Sequence, residues 1–123
     1  MHDSQLVKEI LNQVFQAINR ILKRFETVTS PDFFSVSEEG REKLDSICMQ
    51  LIAIGESIKN LDKITEGKLF SQYPNIEWKK VKGIRDVISH HYFDVDNEIV
   101  YNVCKVHIPL LLKTVKKMLD EIE

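Results

Sequence analysis

Glycine and proline are scarce, four and three in 123 residues, which excludes a turn-rich β architecture because tight strand connections are built on those two residues. Apolar runs are short as well. None approaches the roughly 18 residues that a membrane-spanning helix needs. The opening Met-His-Asp-Ser-Gln lacks the basic and apolar stretches of a secretory leader, so the expected location is the cytoplasm, away from membranes. Cysteine is limited to Cys48 and Cys104, both set within apolar helical patterns. Two such residues in a reducing compartment read as buried free thiols. A strong charge of one sign is also missing: a net charge of −2 argues against a general nucleic-acid coat protein.

What is present is helical periodicity. The chain is 43% hydrophobic and 29% charged, ordinary for a soluble domain, and its length predicts one domain over residues 1–123. Ser4 is expected to cap a first helix running to about Phe25, with Leu6, Ile10, Val14, Ala17, Ile18 and Ile21 at i, i+3, i+4 spacing. Thr27 to Val36, broken by Ser30-Pro31-Asp32, reads as a loop. Ser37-Glu38-Glu39 opens a second helix with Leu44, Ile47, Cys48, Leu51, Ile54, Ile58 and Leu61 on one face. Thr65 to Gln72 is a short helix or turn. Pro74-Asn75 starts a helix near Ile76 that runs to about His91. Asp94-Val95-Asp96 caps a last helix from Ile99 to Ile122, which Pro109 should kink. The expected fold is all-α: an antiparallel four-helix up-and-down bundle with a short extra helix.

The charges are unevenly placed. Lys79 to Lys117 holds eight basic and four acidic residues, which permits a local phosphate-binding surface on an otherwise acidic chain. Inside that segment lies Arg85-x4-His90-x-Tyr92. Arginine brings a permanent cation with a planar fork suited to phosphate, and histidine exchanges a proton near neutral pH. The pair suffices for metal-independent cleavage of RNA, in which one group works on the ribose 2′-hydroxyl and the other stabilises the phosphoryl oxygens. DNA lacks that hydroxyl. On a regular helix, however, five residues leave Arg85 and His90 roughly 140° apart, and Tyr92 returns to within about 20° of Arg85 only if the helix persists. A composite site is easier if the helix ends near His90, or if two protomers juxtapose their copies. From spacing alone the plainer reading is favoured, with His90 stabilising a helix end and Arg85 on the surface.

The motif and its flanks change that weighing. Arg85-x4-His90-x-Tyr92, with Trp78 and Gly83-Ile84 before it and Asp94 to Asp96 after it, resembles the signature of HEPN ribonucleases in the form found in HepT toxins. Ile54-Gly55-Glu56 and Pro109-Leu110-Leu111 resemble other segments of the family, so the likeness spans nearly the whole chain. The resemblance implies a homodimeric helical bundle whose Arg85 and His90 are catalytic in a shared cleft. It also implies an MNT-type nucleotidyltransferase antitoxin that transfers AMP to Tyr92, adding charge and bulk beside the cationic site. The alternative is a non-catalytic helical partner that helps a nucleotidyltransferase present its substrate.

Other residues carry weaker signals. Glu56 is either a buried partner for Arg85 or a residue at the bundle's edge. Lys79, Lys80 and Lys82 are RNA-binding candidates. Tyr73 and Trp78 could stack bases, although Trp78 fits better as a core anchor. Cys104-x2-His107 has no second ligand pair, so no metal site is expected. His2 is terminal, and His91 could replace His90 as the working base, although it reads better as a helix-end neighbour. Gly55 suits close helix packing. No Gly-rich phosphate loop is present, and no cofactor is expected.

Overall fold

Asp3, not Ser4, opens the first helix. Its Oδ1 accepts hydrogen bonds from the Gln5 and Leu6 amides at 3.0 and 3.2 Å, which makes Ser4 the first helical residue. A carboxylate there also sits favourably against the positive end of the helix dipole. The computed structural model describes residues 3–90 and 92–122, with side chains at all of these except Ser89, His90 and Tyr92. The described residues are helical or in turns, as the periodicity predicts. Helix α1 spans Ser4–Phe25, α2 Glu38–Ile64, α3 Trp78–His90, α4 Asn97–Asn102 and α5 Ile108–Glu121. No helix among the described residues is long and apolar enough to cross a membrane.

Helix α2 begins as the sequence suggests, with the Ser37 hydroxyl accepting from the Gly40 amide at 3.0 Å. It ends where Glu66 and Gly67 adopt φ of 55° and 77°, letting the Gly67 amide reach back to the Asp62 carbonyl at 2.9 Å. The start of α3 lies two residues beyond the expected Ile76. Residues 74–77 are held in turns instead, with the Ile76 amide on the Tyr73 carbonyl and the Asn75 side chain on Thr114 Oγ1. The segment from Thr27 to Val36 is less open than its composition suggests. Pro31–Phe34 makes a 3₁₀ turn that drives Phe34 fully into the core.

Pro109 acts as expected on the last helix, and the form of the disturbance is specific. Between α4 and α5, Val103–His107 form one widened π turn, in which the Ile108 amide bonds to the Val103 carbonyl five residues back. Proline lacks an N–H and its ring collides with the carbonyl four residues earlier, so widening the turn just before it relieves both problems. The Asp96 cap is as expected, its carboxylate accepting from the Glu98 and Ile99 amides.

The core is contiguous. The inner faces of α1 and α2 (Leu11, Ile18, Ile21, Ile47, Ile58 and Leu61) are sealed by Val115 and Met118 of α5. Helix α3 runs antiparallel to α2, with Lys82 beside Asp62 and Arg85 beside Glu56. At their crossing, a β-carbon on Gly55 would lie 2.9 Å from Ile84 Cγ2 and 3.1 Å from the Val81 carbonyl oxygen. The close packing expected of Gly55 is therefore what brings the two helices together.

Candidate functional site

That close approach decides where Glu56 points. One residue past Gly55, its Oε1 meets Arg85 Nε at 2.7 Å. The sequence leaves Glu56 either as a buried partner of Arg85 or at the bundle's edge; it pairs with Arg85, but at the edge. The pair is not buried, because the side chains keep 47% and 51% of their surface exposed. An ion pair so exposed is worth under about 1 kcal/mol of stability, so its larger effect is on orientation. Half of the Arg85 side chain stays open to solvent. Asp86 Oδ1 lies 3.9 Å from Nη1, beyond hydrogen-bonding distance. A half-exposed guanidinium of this kind has the donor geometry to bind two oxygens of a carboxylate or a phosphate.

Helix α3 ends at His90, so the geometry in which Tyr92 returns to Arg85's side on a continuous helix does not arise. Tyr92 instead begins a short 3₁₀ turn over Tyr92–Asp94. The backbone of His90 thus stands about 7.5 Å along the axis from Arg85, at the free carbonyl end of the helix. The side chains of His90 and Tyr92 lie outside the described residues, as do His91 and His2 entirely.

The lysines differ among themselves. Lys82 is held by Asp62 at 2.7 Å in a half-buried pair, and Lys80 meets Glu77 at 3.2 Å on the open surface. Lys79 is exposed and makes no ion pair among the described residues. Tyr73 and Trp78 are structural. The Trp78 indole donates to the Tyr73 carbonyl at 2.8 Å and stacks on Phe70, while the Tyr73 hydroxyl donates to Glu121 across the bundle. Tyr73 is buried and Trp78 half-buried, as a core anchor would be.

Both cysteines are buried free thiols. Burial, with the Asp45 carboxylate nearby, pushes the Cys48 thiol from 9.0 to about 11. Burial, and then Cys48 itself, pushes Cys104 from 9.0 to about 12. Burial, with the Glu121 contact, raises Tyr73 from 10.0 to about 12. These groups are protonated at neutral pH, which suits neither thiolate chemistry nor metal binding. Each folded-state value lies above the unfolded one, so the fold is favoured while the proton is held and loses that advantage as pH rises from 9 through 12. The urea midpoint should therefore be flat from pH 7 to 8.5 and fall steeply by pH 10.5. A Cys48→Ala/Cys104→Ala variant should start lower but decline less, and an equal decline would overturn the assignment. No group of three His, Cys, Asp or Glu side chains among the described residues is placed to hold a metal ion, and Cys104 and His107 point to different environments, buried and exposed.

A feature not legible in the motif is the apolar wall beside it. Val87, Ile99 and Leu110 expose 50%, 51% and 41% of their surface around a groove of about 540 Å³ between α3 and the α4–α5 helix. Val87, interrupting the polar exterior of α3 two residues after Arg85, was the available signal.

The bundle is all-helical and carries a half-exposed arginine five residues before the histidine that ends α3, and comparison with known proteins places such a chain in a ribonuclease family. The family of ribonuclease HepT-like proteins matches residues 7–118, and the chain belongs to that family. A Methanocaldococcus jannaschii protein named as a gamma-glutamylcyclotransferase and, provisionally, an RNase is 30% identical over 117 residues, 95% of this chain. The match covers 49% of that relative, so this chain spans about half its length. A provisionally named RNase from Caldanaerobacter subterraneus subsp. tengcongensis is 29% identical over 111 residues, 90% of this chain and 92% of the relative. A provisionally named ribonuclease HepT from Thermococcus cleftensis is 25% identical over 111 residues, 90% and 94% of the two chains. No solved structure gives a significant match.

Proposed function

We propose that this protein is a cytoplasmic, metal-independent endoribonuclease toxin, and that AMP transfer to Tyr92 by a nucleotidyltransferase antitoxin silences it. The observation that carries the reading is the Arg85 guanidinium, on the helix that ends at His90, half exposed and ion-paired through Nε to Glu56. In the proposed reaction the 2′-oxygen attacks the adjacent phosphorus and its proton passes to His90. The bond to the 5′-oxygen breaks, that oxygen takes up a proton, and a 2′,3′-cyclic phosphate remains. Arg85 binds the phosphoryl oxygens as charge builds on them.

The working unit is a homodimer. Arg85 and His90 diverge by roughly 140° around one helix, so a pocket holding both is completed more readily by a second copy. The Val87–Ile99–Leu110 groove beside Arg85 supports this, because two copies meeting there would cover apolar surface and bring two motifs together. In the silencing step the Tyr92 oxygen attacks the α-phosphorus of ATP on the partner enzyme, and pyrophosphate leaves. The attached AMP places a negative phosphodiester where an RNA phosphate would bind.

Expression of the chain alone should arrest growth, and the purified protein should cut RNA in EDTA, leaving cyclic phosphate ends. Co-expression with the nucleotidyltransferase should relieve arrest and add the mass of AMP to the Tyr92 peptide, whereas Tyr92→Phe should stay toxic. Activity restored only by Mg²⁺ or Mn²⁺ would overturn the mechanism. AMP on Tyr73 or Tyr101 would overturn the switch.

A further inference from the structure

Beyond His90 the chain folds back over the outside of α2. There, Phe93 and Val95 face Arg41, Leu44, Asp45 and Cys48 across a cleft of about 250 Å³. Its floor is apolar, with Leu44 and Cys48 buried to 5% and 3% exposure. Its rim is charged. Arg41 and Asp45 stand one turn apart on the same face of α2, and neither makes an ion pair among the described residues. Its wall is Phe93, an aromatic ring left 86% exposed. An exposed aromatic over an apolar floor, rimmed by one guanidinium and one carboxylate, has the composition of a site for a flat, polar-edged ring.

The position matters as much as the composition. Because α3 is antiparallel to α2, with Arg85 opposite Glu56, the His90 end of α3 lies toward the Leu44–Cys48 end of α2. Asp45 is about 16 Å from Glu56 along α2, and the cleft abuts the turn that follows His90. A single strand whose phosphate sits on Arg85 and runs past His90 would bring a base further along the strand to Phe93.

We propose that this cleft is a nucleobase subsite of the RNA substrate, preferring guanine, with Phe93 as the stacking surface and Arg41 and Asp45 reading the base edge. The assignment rests on the ribonuclease reading for the identity of the ligand as RNA. Guanine follows from the two rim groups. A carboxylate accepts from N1–H and the N2 amino group together, while a guanidinium donates to O6 or N7. Adenine lacks that donor pair and uracil offers one donor. Cytosine sets its N3 lone pair against the carboxylate.

The test uses the full-length protein and two sets of pentanucleotides, U-U-N-U-U with N as each of the four bases. Cleavage is followed on the ribose set and binding on a 2′-O-methyl set that cannot be cut. Wild type should favour N = G in both. Phe93→Ala should lower kcat/KM on the G substrate by about 5- to 150-fold, the span that base–aromatic stacking is worth, and Phe93→Tyr should restore most of it. Asp45→Asn should erase the preference for G, bringing kcat/KM on the G substrate down to the level of the other three. Cleavage without base preference and indifferent to Phe93 and Asp45 would overturn the subsite while the ribonuclease reading stands. Absence of cleavage with G-selective binding that Asp45→Asn abolishes would sustain the subsite and overturn the ribonuclease reading. Tighter binding of the A pentanucleotide than the G one would overturn the guanine assignment.

Discussion

Arg85→Ala should leave a folded protein that no longer cuts RNA. Loss of one preorganised donor to a developing oxyanion costs about 10²- to 10³-fold in kcat. The stability change should stay within about 1 kcal/mol, because the Glu56 partner is itself half exposed. Arg85→Lys should recover little, since an ammonium cannot be held at one nitrogen and offer a planar edge with two others. Glu56→Gln separates orientation from charge: the side chain keeps its length, loses its ionic grip, and should give an intermediate fall in kcat with a small change in KM. Mixing Arg85→Ala and His90→Ala protomers tests the shared cleft. Activity in the mixture above that of either variant alone requires an arginine and a histidine from different chains to cooperate. A mixture as inactive as its components would place a complete site within one protomer, and unfolding of Arg85→Ala would return the residue to a structural role.

Much of this arrangement can be read from the sequence because it depends on local rules. The faces of α1 and α2 follow from the 3.6-residue period. Ser37 and Asp96 are found as caps by residue type, and Pro109 announces a break in the turn just before it. The first cap shows how narrow the margin is. Asp3 and Ser4 are both good caps, and only the observed bonds to Gln5 and Leu6 decide between them. The catalytic candidates came from a motif matched to a family, since spacing alone leaves Arg85 and His90 on different sides of a helix.

What the sequence conceals is tertiary. Nothing near Lys82 shows that Asp62, twenty residues earlier, takes up its charge. Arg41 and Asp45 look like any i, i+4 pair on a solvated face until the 92–95 segment lies over them. The fate of Glu56 depends on Gly55, whose missing side chain permits a helix crossing that no local pattern encodes.

Gly40 is the sharpest case. As a glycine in the first turn of a helix, it invites replacement by alanine, which intrinsic propensity favours by about 1 kcal/mol. The structure opposes that change. A β-carbon there would lie 1.8 Å from the Phe33 carbonyl oxygen and 2.9 Å from its carbon, both backbone atoms. Relief would require lifting the Pro31–Phe34 turn, which holds fully buried Phe34 in the core. Overpacking costs about 1–3 kcal/mol and occasionally more, and an approach of 1.8 Å to backbone belongs at the upper end, so the clash outweighs the propensity gain. Gly40→Ala should therefore lower the melting temperature by roughly 10 °C. Gly83→Ala in α3 is the control, because a β-carbon there meets nothing within 4 Å and propensity acts alone. It should hold or raise the melting temperature. Equal behaviour of the two variants in a thermal melt would show that the Phe33–Gly40 approach does not constrain the fold.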